Sequence, residues 1–175
     1  MKLLYSNILP LGTEEDQETI MDCFNEQMKM ADRVEIAVGY TSNASLAELD
    51  RLVNECNISK VCLNIGMYFI EGMPEGAYHT AIKINEKWQE AGIGEIRVVK
   101  AFKYHGKLFC FYKDGNPFSA IIGSANLGVI KLEASNRRQY EISAITTDEQ
   151  EVAEIAEHIE KPLTVKVVVS KIYIF

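Results

Sequence analysis

Two short segments of this 175-residue chain carry side chains suited to handling an anion at a reacting centre. The first, His105-Gly106-Lys107, sets an imidazole two positions from an ammonium. It stands where an apolar run begins, and strand alternation would point both side chains to the same side. Near neutral pH an imidazole can serve as nucleophile, general acid or general base, and an ammonium is a compact charge for an anion. The second segment, Gly123-Ser124-Ala125-Asn126, closes another apolar run and offers a hydroxyl and an amide as further donors. A histidine and a lysine at this spacing are common by chance; their conjunction with a small polar segment across a hairpin is not.

The elements that must position these groups are legible from hydrophobic periodicity. Residues 107–112 and 118–122 are apolar runs joined by Lys113-Asp114-Gly115-Asn116-Pro117, whose Asp-Gly signals a hairpin. Its strands bring the two chemistry-bearing segments close together. Upstream, residues 33–40 read as a strand, Thr41-Ser42-Asn43 as the cap of a helix carrying Leu46, Leu49 and Val53, and residues 60–65 as the next strand. A βαβ unit of this kind implies parallel pairing through a right-handed crossover. A helix over 78–91, with Ile82, Ile84 and Trp88, and a strand over 95–100 add a second pair. The run Thr13-Glu14-Glu15-Asp16 predicts a helix start, with Ile20, Phe24 and Met28 on one face to about residue 31. Residues 66–76 read as a packed connection, 140–146 as a strand and 148–159 as an acidic helix closed by Pro162. The apolar end, 163–175, would be a risky free edge strand and calls for cover by sheet, by a partner or by further sequence. The expected fold class is α/β, a mixed β-sheet flanked by helices on both faces, in one domain spanning 1–175.

Composition narrows the function classes. With 47% apolar and 25% charged residues, the chain is neither disordered nor collagen-like, and it holds no membrane span. Cys23, Cys56, Cys62 and Cys110 form no CxxC pair and have no histidine at zinc-ligand spacing, so buried apolar roles are expected and no metal site or cofactor. The first residues lack a secretory signal, which leaves the cytoplasm as the expected compartment. The net charge of -7 excludes a basic coat, yet residues 97–138 hold eight basic side chains against Asp114 and Glu133, a local net of +6.

The order HxK, hairpin, GSxN closely resembles the HKD motif of the phospholipase D superfamily, over residues 103–145. Some members carry two copies in one chain; the small bacterial nucleases and one branch of metal-independent type II restriction endonucleases carry one and pair two chains into a single site. With one HxK, this chain is similar to the second kind. The Ile65-Gly66-Met67 segment followed by Glu71-Gly72 also resembles the restriction branch. The aspartate that many relatives carry after HxK has no counterpart, the first acid after Lys107 being Asp114.

The resemblance implies a phosphodiesterase acting on DNA as a homodimer without a metal. One histidine attacks phosphorus to form a phosphohistidine, and the other protonates the leaving oxygen and then activates water. Lys107 and Asn126 would hold phosphate oxygens, with Ser124 as an additional donor. A nucleophilic imidazole needs an acceptor on its other nitrogen to set its tautomer, and Glu141, an acid opening an otherwise apolar strand, is the candidate. Lys103, Arg137 and Arg138 are the candidate DNA-backbone contacts. Restriction enzymes of this kind join their catalytic domain to a DNA-reading domain, so the chain is expected to be the N-terminal part of a longer endonuclease. A phospholipid-directed phosphodiesterase and a non-catalytic DNA-binding module of the same fold are the alternatives.

Overall fold

The βαβ arrangement expected from residues 33–65 organises the centre of the molecule. In the computed structural model, which describes residues 1–131 and 139–160, β3 (Arg33–Val38), α2 (Asn43–Glu55) and β4 (Lys60–Ile65) form that unit. Strands β3 and β4 pair in parallel, with Val34 opposite Val61 and Val38 opposite Ile65. Helix α4 (Glu75–Glu90) then returns the chain to β5 (Gly94–Val98), parallel to β4. The hairpin β6 (Leu108–Lys113) and β7 (Asn116–Gly123) packs antiparallel on the other side of β3. Its turn residues Asp114 and Gly115 have φ of +51° and +82°, the left-handed pair that a tight hairpin requires.

Strand β8 (Ile142–Thr146) adds antiparallel to β7, followed by β1 (Lys2–Tyr5) and the two-residue β2 (Glu18–Thr19). The sheet order among the described residues is β2-β1-β8-β7-β6-β3-β4-β5. Because strand side chains alternate, the sheet has two separate cores. Ile36, Leu63, Phe109 and Phe111 face α1 (Ile20–Met30), α2 and α4, and the Phe24 ring of α1 meets Phe109 and Phe111 edge-on at 5.7 and 5.5 Å. On the reverse face Ala37, Leu108, Cys110 and Ala120 pack against Val152, Ala156 and Ile159 of α5 (Glu149–Glu160). The fold is therefore a mixed sheet with helices on both faces, as expected. No helix among the described residues is long and apolar enough to cross a membrane.

Several boundaries differ from the sequence reading. The first helix begins at Ile20, not near Thr13: residues 18 and 19 are drawn out as a strand beside Leu4 and Tyr5, so Thr19 becomes the N-cap and its Oγ1 accepts the Asp22 N–H at 3.0 Å. The connection over 66–76 contains a one-turn helix, α3 (Tyr68–Glu71), and α4 starts at Glu75, three residues before the expected start. Strand β5 stops at Val98 rather than residue 100. The apolar end, 163–175, lies outside the described residues. For α2 the expected cap is present in full: Ser42 Oγ accepts from Ser45 N–H at 3.1 Å, and Ser42 N–H donates to Ser45 Oγ at 2.9 Å. Ser42→Ala should lower stability by about 1 kcal/mol. Calorimetry should record this as a melting midpoint lower by about 2–4 °C.

Candidate active site

The candidate residues converge at one edge of the sheet. The parallel strands β3 and β4 end there, just before Gly39 and Gly66; β6 begins there after Lys107, β7 ends at Gly123, and β8 begins beyond Glu141. A crevice beyond the carboxyl ends of parallel strands is where open α/β sheets usually bind ligands. The cleft here has a volume of about 720 Å³, and its lining includes Tyr40, His105, Lys107, Ser124, Asn126 and Glu141. All five residues expected in the catalytic set thus line one cavity, although Glu141 lies 36 positions from His105 in the chain.

Each side chain is held by backbone supplied from a different element. Asn126 starts the short 3-10 turn Leu127–Ile130. Its Oδ1 accepts two backbone N–H groups from the end of β3, those of Gly39 and Tyr40, each at 3.1 Å. With its oxygen committed in this way, the amide presents its NH₂ group as the free end, the polarity needed to donate to an anionic oxygen. Lys107 is only 9% exposed. Its Nζ donates to the backbone oxygen of His105 at 2.7 Å, folding the HxK segment back on itself. Burial pushes the ammonium below its ordinary value, and the nearby Glu141 carboxylate opposes that shift.

Ser124 and Glu141 form a pair. The serine hydroxyl donates to the Glu141 carboxylate, and its oxygen accepts the Ile142 N–H at 3.1 Å. Glu141 is anchored in turn by its backbone N–H, which donates to Ser6 Oγ at 3.0 Å. This arrangement differs from two roles expected from sequence. The Ser124 proton is committed to Glu141 rather than directed at a phosphate, and Glu141 meets Ser124 rather than the His105 ring. Register explains it, since Gly123 lies opposite Ser143 in the β7–β8 pair, which carries Ser124 to the start of β8 beside Glu141.

His105 is exposed, with no hydrogen bond from its imidazole to a described residue. Packing alone places it. A Cβ on Gly39 would come within 2.9 Å of His105 Cδ2 and 3.3 Å of Met67 Cγ, so glycine at this position lets the imidazole lie close against the strand end. Nothing local in the sequence singles out Gly39, which looks like an ordinary strand terminus. Gly39→Ala should lower kcat by about 10- to 100-fold through a displaced ring. The crowding should also cost about 1–3 kcal/mol of stability, readable by calorimetry beside steady-state kinetics. Lys103 is exposed two residues before His105. Arg137, Arg138 and Glu133 lie outside the described residues.

A second cavity of about 580 Å³ adjoins the first on the reverse face of the sheet. His105, Lys107 and Gly123 line both, and the second is lined chiefly by apolar groups such as Met1, Leu108, Ile122 and Ile155, with Glu151, Glu154 and His158 from α5. Among the described residues no cluster of histidine, cysteine, aspartate and glutamate could hold a metal ion.

Comparison with known proteins adds to this geometry. A family model described as the NgoFVII restriction endonuclease N-terminal PLD domain matches residues 18–175. Among solved structures, NucT from Helicobacter pylori superposes with a TM-score of 0.58 and 17% identity over 83% of this chain and 88% of that chain. That likeness is one of fold. No match is found among curated proteins.

Proposed function

This chain belongs to the family of NgoFVII restriction endonuclease N-terminal PLD domains, and from that membership and the cleft we propose that it is a DNA-cleaving phosphodiesterase. The reading has two copies of the chain share one active site and proceed through a phosphohistidine. Its main support is the polarity of the cleft: the Lys107 ammonium and the free amide end of Asn126 face the same cavity as His105. A site that must hold a tetrahedral anion while one imidazole attacks it needs this set of donors.

In this mechanism a ring nitrogen of one His105 attacks phosphorus, a P–N bond forms, and the bond to the leaving alkoxide breaks. The second copy's His105 gives that oxygen its proton. The same imidazole, now neutral, takes a proton from water as the water oxygen attacks phosphorus and the P–N bond breaks. Lys107 and Asn126 bear the charge that builds on the non-bridging oxygens, the task a metal performs in other nucleases. The Glu141–Ser124 pair fixes the wall of the cleft and keeps a carboxylate near Lys107.

The reading requires two histidines where each chain brings one, His105, to the cleft, so the copies must meet beside it. The surface there favours it. Leu3 and Ile122 flank Ala144 across β1, β8 and β7, and Leu3, Ile122 and Ile142 are 53%, 40% and 48% exposed. Exposed apolar area next to a half-complete site is what a symmetric dimer would bury. Lys103, Arg137 and Arg138 are proposed as contacts to the DNA backbone, and a DNA-reading domain beyond this chain as the source of sequence specificity.

The test is cleavage of plasmid and single-stranded DNA in excess EDTA at several salt concentrations, with acid-labile, alkali-stable label transfer to protein from 32P-labelled DNA as the sign of phosphohistidine. Cleavage only after Mg²⁺ is added would overturn the metal-independent mechanism. Sedimentation showing a monomer that still cleaves at the full rate would overturn the shared site.

A further inference from the structure

We propose that Tyr40 is a positioning residue for two members of the site at once, its backbone amide holding Asn126 and its ring holding His105. The inference rests on the reading of His105 as the nucleophile. Tyr40 follows Gly39 at the end of β3, and its N–H donates to Asn126 Oδ1 at 3.1 Å. The same residue sets its ring against the imidazole, with centroids 6.0 Å apart and planes at 80°. That edge-to-face geometry is one that aromatic quadrupoles favour.

The ring is itself fixed from two sides. Its hydroxyl donates to Glu71 Oε2 at 2.5 Å, and its face or edge meets Tyr68 at 5.5 Å and 73°. Tyr68 is locked in turn, its hydroxyl oxygen accepting the Thr41 N–H at 3.1 Å while its proton goes to the Thr41 carbonyl. The bond to Glu71, with burial adding to it, pushes the Tyr40 phenol up to about 12, so at neutral pH the phenol keeps the proton it donates to Glu71.

His105 is the residue that needs such support. Histidine χ2 is a broad torsion with no sharp staggered well, and a nucleophile must hold its nitrogen in line with the bond that breaks. Glu141, the carboxylate expected to orient it, is bonded to Ser124. Around the imidazole, the described residues supply the Gly39 backbone on one side and the Tyr40 ring on another. The sequence of contacts Glu71–Tyr40–His105 therefore restrains the imidazole by packing.

The test compares Tyr40→Phe, which keeps the ring and loses its tie, with Tyr40→Leu, which loses the ring, and with Glu71→Ala, an exposed position that releases the phenol without disturbing the core. Both Tyr40 substitutions leave the backbone amide that holds Asn126. Steady-state cleavage of an oligonucleotide duplex should show kcat lower by about threefold for Tyr40→Phe and on the order of 30- to 100-fold for Tyr40→Leu, with KM moved by less than about twofold. Glu71→Ala should fall near Tyr40→Phe. In parallel, the His105 ring-proton NMR resonances should move in Tyr40→Leu, where the ring current is lost, and stay close to wild type in Tyr40→Phe. That reading requires no turnover and also reports whether each variant is folded. Equal kcat for the leucine and phenylalanine variants, or unmoved His105 resonances in Tyr40→Leu, would overturn the proposal. If His105→Ala itself cleaved at the wild-type rate, the nucleophile assignment would fall, while the NMR comparison would still decide whether Tyr40 positions the imidazole.

Discussion

His105→Ala is expected to abolish DNA cleavage, lowering kcat by about 10⁴-fold or more, as removal of a covalent nucleophile does. The fold should be untouched. The imidazole is exposed and makes no hydrogen bond to a described residue, so its loss falls among surface changes worth within about 0.5 kcal/mol. Circular dichroism and the melting midpoint should therefore match wild type. The same variant tests the shared site. If each active site needs one histidine from each of two copies, equal mixing with wild type by random exchange should leave about a quarter of the dimers competent. Activity retained in proportion to the wild-type fraction would instead mean that each chain works alone.

The second large effect belongs to Lys107. Lys107→Met keeps much of the aliphatic stem and removes the charge, and it should lower kcat by about 10²- to 10³-fold, the loss typical of one donor to a developing oxyanion. KM should change far less, because the ammonium acts mainly where charge accumulates. The pH dependence carries a definite sign. Burial holds the Lys107 ammonium below its ordinary value, so raising pH through the shifted value removes the proton and the charge, and kcat should decline on the alkaline side. Lys107→Arg keeps a charge that does not titrate in this range, and its profile should lose that alkaline decline even if the longer guanidinium lowers the maximum. A decline unchanged in Lys107→Arg would assign it to another group.

Much of this protein was legible before any tertiary contact was known. Strand β4 falls at 60–65 as expected because its apolar run is bounded by polar turns, and α2 starts where Ser42 can cap it. The hairpin was marked by Asp114-Gly115, and the HxK and GSxN segments by residue type and spacing alone. The start of the first helix was not legible, because the competing strand pairing of Glu18 and Thr19 with Leu4 and Tyr5 is a non-local contact. Acidic residues 14–16 satisfy the pattern of a helix N-terminus equally well.

The chain by itself determined the chemical inventory, one imidazole, one ammonium, one serine and one amide on two segments joined by a hairpin, because local propensity and spacing act within a few residues. The tertiary structure decided which partner each group has. Strand β3 inserts between β4 and β6 and delivers Gly39 and Tyr40 to Asn126, 87 and 86 positions further along, and the Tyr40 ring to His105. The β7–β8 register gives Glu141 to Ser124 instead of to His105. Hydrogen bonds and ring contacts across a sheet depend on strand order and register, which are set by the burial of whole faces and leave no mark at the individual residues that meet.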